Sequence, residues 1–309
     1  MLAILLKTLP FFAVIATGFL AGRARFITPE ATGQLTRFVF YFALSAMLFG
    51  FAANLSLAEI FSLPFVLAYL TGTALVWGLV LVLGLIRGTG REAALFEAHT
   101  GVIGNVGFLG IPMLVLLLGP KAVGPVLLVL AVDLIVFSSA LTLGITLLRS
   151  GRVGPDTLRL LALGLLKNPM IVSTVLGMAW GATGRSLWPP VAEFMTLLGA
   201  AATPCALFAI GASLAGRRPD RPLIAAWLSF AKLVLHPAAV AIAALWLFPV
   251  EPYAAGVMIA AAALPVAGNV FILAQHYGVA PQRVSTAILI STALSVLTVT
   301  AVIALLETT

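Results

Sequence analysis

Gly101-Val-Ile-Gly-Asn-Val-Gly-Phe-Leu-Gly-Ile-Pro112 is a run that an uninterrupted helix tolerates badly. Gly101, Gly104, Gly107 and Gly110 recur at every third residue, and Pro112 follows. In a helix interior glycine costs about 1 kcal/mol and proline about 3 kcal/mol relative to alanine. The run lies inside a long apolar stretch, so it predicts a membrane helix that opens near its middle. Leu264-Pro-Val-Ala-Gly-Asn269 has the same character later in the chain. Opened backbone is tolerated in lipid only where protein or a wet cavity surrounds it, which puts both breaks at the centre of a bundle. A restarted half-helix points free N–H groups and the positive end of its dipole at the break. Two such ends facing each other would hold an anion without a buried full charge, and Asn105 and Asn269 add amide donors. The same glycines would also suit close helix packing, and either asparagine could act as interhelical glue. Proline and asparagine in the same stretch are not needed for packing and favour the break.

The rest of the chain supplies the apolar surroundings. Hydrophobic residues make up 62% of the 309 and charged residues 9%, against roughly 25% charged in soluble domains. So few charges could not cover a water-exposed surface, and lipid is the simplest solvent. The net charge of +7 comes from basic residues in short gaps between apolar runs. They read as topology signals and headgroup contacts. No basic stretch is interleaved with aromatics, which excludes a nucleic-acid partner. Cys205 is the single cysteine and rules out an intrachain disulfide. The first apolar stretch lacks a small-x-small site before Arg23 and is expected to be a retained helix.

Ten stretches are long and apolar enough to span: 3–22, 32–53, 62–86, 93–118, 122–148, 168–184, 189–215, 222–248, 252–276 and 282–306. With the amino terminus outside, the inner side receives Arg23, Arg25, Arg37, Arg87, Arg91, Arg149, Arg152, Arg159, Lys167, Arg217, Arg218, Arg221 and Arg283. The outer side receives only Lys7, Lys121 and Arg185, and Glu59, Glu251 and Glu307 fall there too. This asymmetry predicts a multi-pass protein of the cell's inner or plasma membrane with both termini outside.

Two halves echo each other. Met47-Leu-Phe-Gly-Phe-Ala-Ala-Asn-Leu55 resembles Ala206-Leu-Phe-Ala-Ile-Gly-Ala-Ser-Leu214, and Gly104-Asn-Val106 resembles Gly268-Asn-Val270. Five spans per half force the halves to insert with opposite orientation, the inverted-repeat plan of many secondary transporters. The expected fold is therefore an all-α integral membrane protein of two inverted five-helix repeats, 1–148 and 168–309. A cytoplasmic linker, 149–167, joins them.

Asn105-Val-Gly-Phe-Leu-Gly-Ile-Pro112 resembles the Asn-x5-Ile-Pro crossover of the auxin efflux carrier (PIN-FORMED-like) family, within the bile acid/auxin carrier superfamily. Ala263-Leu-Pro265, Phe271-Ile-Leu-Ala-Gln-His-Tyr-Gly278 and Ser285-Thr-Ala287 are similar to that family's last two spans. The resemblance covers essentially the whole chain. It implies helices four and nine that cross at their breaks, a scaffold of spans 1, 2, 6 and 7, and a mobile unit of spans 3–5 and 8–10. It also implies a homodimer and elevator-like alternating access. Plant members export indole-3-acetate, and bacterial relatives include proteins described as malate or malonate permeases. This chain departs from the plant pattern in its short central loop, in Ser45 where many members have proline, and in Asp133 where plant members tend to have glutamine. Asp133 argues against auxin as the substrate.

The candidate substrate-binding residues are Gly104, Asn105, Pro112, Asp133, Pro265, Asn269 and Val270, with Asp133 also the candidate coupling-ion residue. A central Asp costs at least about 2.5 kcal/mol on insertion scales, so something must offset it. Either it binds a proton or sodium ion that accompanies the anion, or it is paired structurally with Lys232 or another donor. Lys232 and His236 share a face of span eight, either to attract a carboxylate or, respectively, to snorkel and to sit satisfied in the core. Glu97, His99, Gln275 and His276 read as local hydrogen-bond partners, the last two near water. Ser138 and Ser139 either line the cavity near Asp133 or bond back to helix carbonyls.

No His-Glu-x-x-His, Gly-x-Ser-x-Gly or acidic cluster is present, and no Gly-x4-Gly-Lys-Ser/Thr, which argues against an enzyme and a self-contained pump. No cofactor is expected beyond a coupling proton or sodium ion. The function expected is secondary transport of a small organic anion, a carboxylate of auxin-like or dicarboxylate type. The alternative is a membrane sensor or receptor built on the carrier fold.

Overall fold

The computed structural model describes residues 2–54, 61–216 and 220–306, and among them every regular element is helical. Leu55 of the repeat, and Glu59, Arg217, Arg218 and Glu307 of the charge pattern, lie outside the described residues.

The helices are α1 (Leu2–Arg23), α2 (Pro29–Ala52), α3 (Leu63–Ile86), α4 (Arg91–Thr100), α5 (Val106–Leu118), α6 (Pro120–Ser150) and α7 (Pro155–Leu166). They continue with α8 (Pro169–Gly181), α9 (Pro189–Leu214), α10 (Pro222–Leu247), α11 (Pro252–Ala262), α12 (Gly268–Tyr277) and α13 (Pro281–Leu306). Proline is the first residue of α2, α6 to α11 and α13. There its fixed φ suits the helix and its missing N–H costs nothing. Side chains cap several starts: Thr28 Oγ1 accepts from Ala31 N at 3.2 Å, and Asn168 Oδ1 from Met170 N at 3.0 Å. Glu251 accepts from Tyr253 N at 3.1 Å and Ala254 N at 2.8 Å.

Helix occupies all ten stretches that the sequence marks as spans. Seven helices, α1, α2, α3, α6, α9, α10 and α13, are long and apolar enough to cross a bilayer unaided. The other three places hold shorter pieces. Stretches four and nine are each split, into α4 and α5 and into α11 and α12, at residues 101–105 and 263–267. Stretch six, α8, is preceded by α7, and the two are bent by 65°. The sequence treated the residues of α7 as linker. Its hydrophobic residues alternate with Asp156 and Arg159, it buries no residue, and Leu158 and Leu166 are exposed.

Large apolar side chains also cover the outside of the bundle: Leu75 is 61% and Trp246 80% exposed. A water-soluble protein rarely shows such a continuous apolar exterior, whereas lipid is an adequate partner for it.

Packing falls into two groups. α1 lies along α9, and α2 packs against α8 and α9. These contacts are made through glycine. A Cβ on Gly18 would stand 2.1 Å from Phe208 O, and one on Gly211 would stand 1.9 Å from Ile15 O. The backbones touch because no side chain intervenes. The second group joins α3 to α4 and α10, α4 to α6, α11 to α6 and α10, and α10 to α13.

Candidate functional site

The two interrupted segments meet at their breaks. Gly104 and Val266 form an isolated antiparallel bridge. Asn105 N donates to Pro265 O at 2.8 Å, and Ala267 N donates to Ile103 O at 3.1 Å. Val266 N, which points the other way, donates to Ser291 Oγ on α13 at 3.1 Å. The backbone groups freed by each break are thus taken up by the other break and by α13, the condition for open backbone at membrane depth.

The crossing gathers four helix ends. α5 and α12 start there, and α4 and α11 stop there. Neither Asn105, which precedes α5, nor Ala267, which precedes α12, makes a side-chain cap hydrogen bond. The first N–H groups of both half-helices keep their capacity for an anion. Asn269 is the second residue of α12, and its Oδ1 is buried with no hydrogen-bond partner among the described residues. Val270 beside it is fully buried. Pro112 stands farther along α5, where a wide π-type turn over Val106–Gly110 precedes it. Such a turn accommodates a residue that cannot donate an N–H.

The glycines of α4 and α5 serve both break and packing. A Cβ on Gly107 would meet Met170 Cε of α8 at 2.5 Å, and one on Gly110 would meet Leu264 Cδ1 at 2.5 Å. Gly104 has a different neighbour. Its Cβ would stand 3.2 Å from both Cε and Nζ of Lys232.

Behind the crossing runs a buried polar chain. Asp133 opens a π turn, Asp133–Phe137, in α6, and Tyr69 OH of α3 donates to its Oδ1 at 2.9 Å. Its Oδ2 is buried without a partner among the described residues. Thr73, one turn along α3, has Oγ1 3.0 Å from His236 Nε2, and His236 Nδ1 is 3.2 Å from Lys232 Nζ. Lys232 Nζ donates to the carbonyl of Ala262, the last residue of α11. A charged ammonium can only donate, so Nδ1 of His236 accepts and Nε2–H is turned to Thr73. Tyr69 packs edge-on to the His236 ring at 5.8 Å.

These positions decide several alternatives. Lys232 is fully buried and does not snorkel. His236 is a satisfied core histidine. Asp133 and Lys232 are within electrostatic reach, yet no ion pair joins them among the described residues. Ser138 Oγ bonds back to Asp133 O at 3.0 Å. Glu97 is a local partner, clamped by Arg87 and Arg283. His99 was read as another such partner, but both of its buried ring nitrogens lack one among the described residues. Gln275 and His276 are exposed, as expected near water. Tyr69, Thr73 and Ser291 were not singled out from the sequence, because a tyrosine or hydroxyl in an apolar helix carries no spacing signal.

A cleft of about 630 Å³ opens between the two packed groups. Gly22, Thr32 and Thr36 line one wall, and Phe271, Gln275 and Ser285 line the other. Phe271 is one turn from Gly268, so α12 runs from the crossing down the side of the cleft.

An all-helical apolar bundle with uncapped half-helices meeting at its centre is the architecture of a membrane transport protein, not of an enzyme. The chain belongs to the membrane transport protein family, whose sequence model matches residues 3–303. It is 34% identical over 308 residues to a protein of Rhizobium meliloti (strain 1021) named "Putative malonate transporter", covering 97% of this chain and 94% of that one. The auxin-carrier resemblance of spans four, nine and ten agrees with this membership.

Proposed function

We propose that this protein is a secondary carrier of a small dicarboxylate of the malonate class, which it binds at the crossing and moves by elevator-like alternating access. The observation that carries the proposal is the backbone pairing of Gly104 with Val266, which aims the starts of α5 and α12 at one place. Those two starts, with Asn105 and Asn269, bind one carboxylate through neutral dipoles. The name of the Rhizobium relative supports malonate as the first substrate to test.

In this reading the chain crosses the membrane ten times as two inverted repeats, with both termini outside. α1, α2, α8 and α9 form the scaffold, whose glycine-mediated contacts hold it rigid and whose outer face pairs two copies. The second packed group moves as a body. With this orientation the cleft beside Gln275 and Ser285 is the substrate's route to the cytoplasm. Asp133, with one oxygen unpartnered, binds the coupling ion.

Counterflow in proteoliposomes tests the carrier reading. Vesicles loaded with unlabelled malonate are expected to accumulate labelled malonate transiently above its outside concentration. Binding of malonate without exchange would identify a sensor instead. No response to malonate with brisk exchange of another carboxylate would keep the carrier and change the substrate.

A further inference from the structure

The last carbonyls of a helix carry the negative end of its dipole, and at a mid-membrane break they attract a cation. α11 ends at such a break. The carbonyls of Ile259, Ala260 and Ala261 are taken by the N–H groups of Ala263 and Leu264 as the chain turns away. The next carbonyl, that of Ala262, accepts from Lys232 Nζ. Lys232 reaches it from the second residue of a π turn in α10 and is fully buried. Gly104, on the opposite broken segment, leaves the room that the lysine tip occupies. His236 Nδ1 supplies a neutral ligand at 3.2 Å, and no carboxylate pairs with the ammonium among the described residues.

A carbonyl at a helix terminus, a neutral ligand and a small space at the crossing are what a monovalent metal ion would require. We propose that Lys232 is a tethered cation: its ammonium occupies the place of a co-bound sodium ion at the carboxyl end of α11, so the protein needs no sodium to complete its anion site. The positive charge is fixed beside the two half-helix starts and travels with the mobile unit. Lys232 is on this account a positioning residue, acting through Ala262 and the crossing backbone. The inference rests on the crossing as the anion site proposed above, but its test uses neither malonate nor transport.

The test is thermal unfolding of the purified full-length protein in sodium against N-methylglucammonium, at matched ionic strength and without malonate. The wild type is expected to unfold within about 1 °C in the two media. Lys232→Ala is expected to unfold at lower temperature, and sodium or ethylammonium, each able to enter the emptied place, should restore about 2 °C or more. A merely structural lysine would show no such rescue. Stabilisation of the wild type by sodium beyond about 1 °C overturns the proposal, because a free cation site would then exist beside the lysine. A folded Lys232→Ala protein indifferent to both cations overturns it too. If Lys232→Ala does not fold, Lys232→Met keeps the side-chain length and is expected to be destabilised without cation rescue. The wild-type comparison then decides.

Discussion

The contact between α1 and α9 and the crossing of α4/α5 with α11/α12 are both rich in glycine, and they use it in opposite ways. At Gly18 and Gly211 the helix continues, and the missing side chain lets two backbones touch. At Gly104 the helix has stopped, and the missing side chain admits the end of a lysine. The first arrangement is dry and leaves no polar group to rearrange. The second gathers helix ends, amides and a buried polar chain. Close backbone packing suits a part that keeps its shape, and opened backbone suits a part that binds.

Substitutions can break or sharpen this contrast. The largest effect is expected at Glu97, which holds Arg87 and Arg283 within the group that carries the crossing. Glu97→Gln leaves Arg283 buried without its counter-charge and should cost about 3–5 kcal/mol in thermal or denaturant unfolding. Gly211→Ala should cost about 1–3 kcal/mol, because a methyl group there must push α1 away. In folded Gly211→Ala protein the apparent affinity for malonate is expected to stay unchanged, as read by calorimetry. Asn269→Ala should do the reverse, leaving the unfolding temperature in place and weakening malonate binding by roughly tenfold, the value of about one polar contact. If Gly211→Ala weakened binding and Asn269→Ala did not, the two regions would have been assigned the wrong roles.

The smallest effect lies at the helix ends. Arg149 donates to both carboxylate oxygens of Glu92, at 2.9 and 2.8 Å, and to Tyr277 O at 2.7 Å. The hydrogen bonds from Arg149 are the main reason that the Glu92 carboxyl lies below its usual range. A lowered carboxylate pKa adds stability at neutral pH, and that addition disappears as the pH falls through the folded-state value. Both groups are substantially exposed, so Glu92→Gln should lower the unfolding temperature only slightly at neutral pH and not at all in acid.

How much of this was legible depended on the kind of residue. The breaks could be read because glycine, proline and asparagine act locally. Gly101 to Pro112 and Leu264 to Asn269 announce themselves whatever surrounds them. Helix starts were legible to within about three residues, since proline at the first position marks most of them. The polar chain was not. Tyr69 and Asp133 are 64 residues apart and Thr73 and His236 are 163 apart. Nothing in an apolar helix says which distant hydroxyl will face which carboxylate. Lys232 was recognised as costly, yet its partner is a backbone carbonyl, a group every residue carries. Helix α7 escaped notice because its short mixed pattern resembles a connecting segment.

The central claim is that the two interrupted segments meet. Gly104 and Val266 face each other as a pair without direct hydrogen bonds, the antiparallel geometry in which Cα atoms are about 4.5 Å apart and a disulfide fits. In a Cys205→Ser background, Gly104→Cys with Val266→Cys should cross-link on mild oxidation in membrane vesicles, as should Met47→Cys with Gly199→Cys between α2 and α9. Cross-linking of both pairs is the result expected. Cross-linking of the α2–α9 pair alone, in protein that has inserted and folded, would mean that the breaks do not meet.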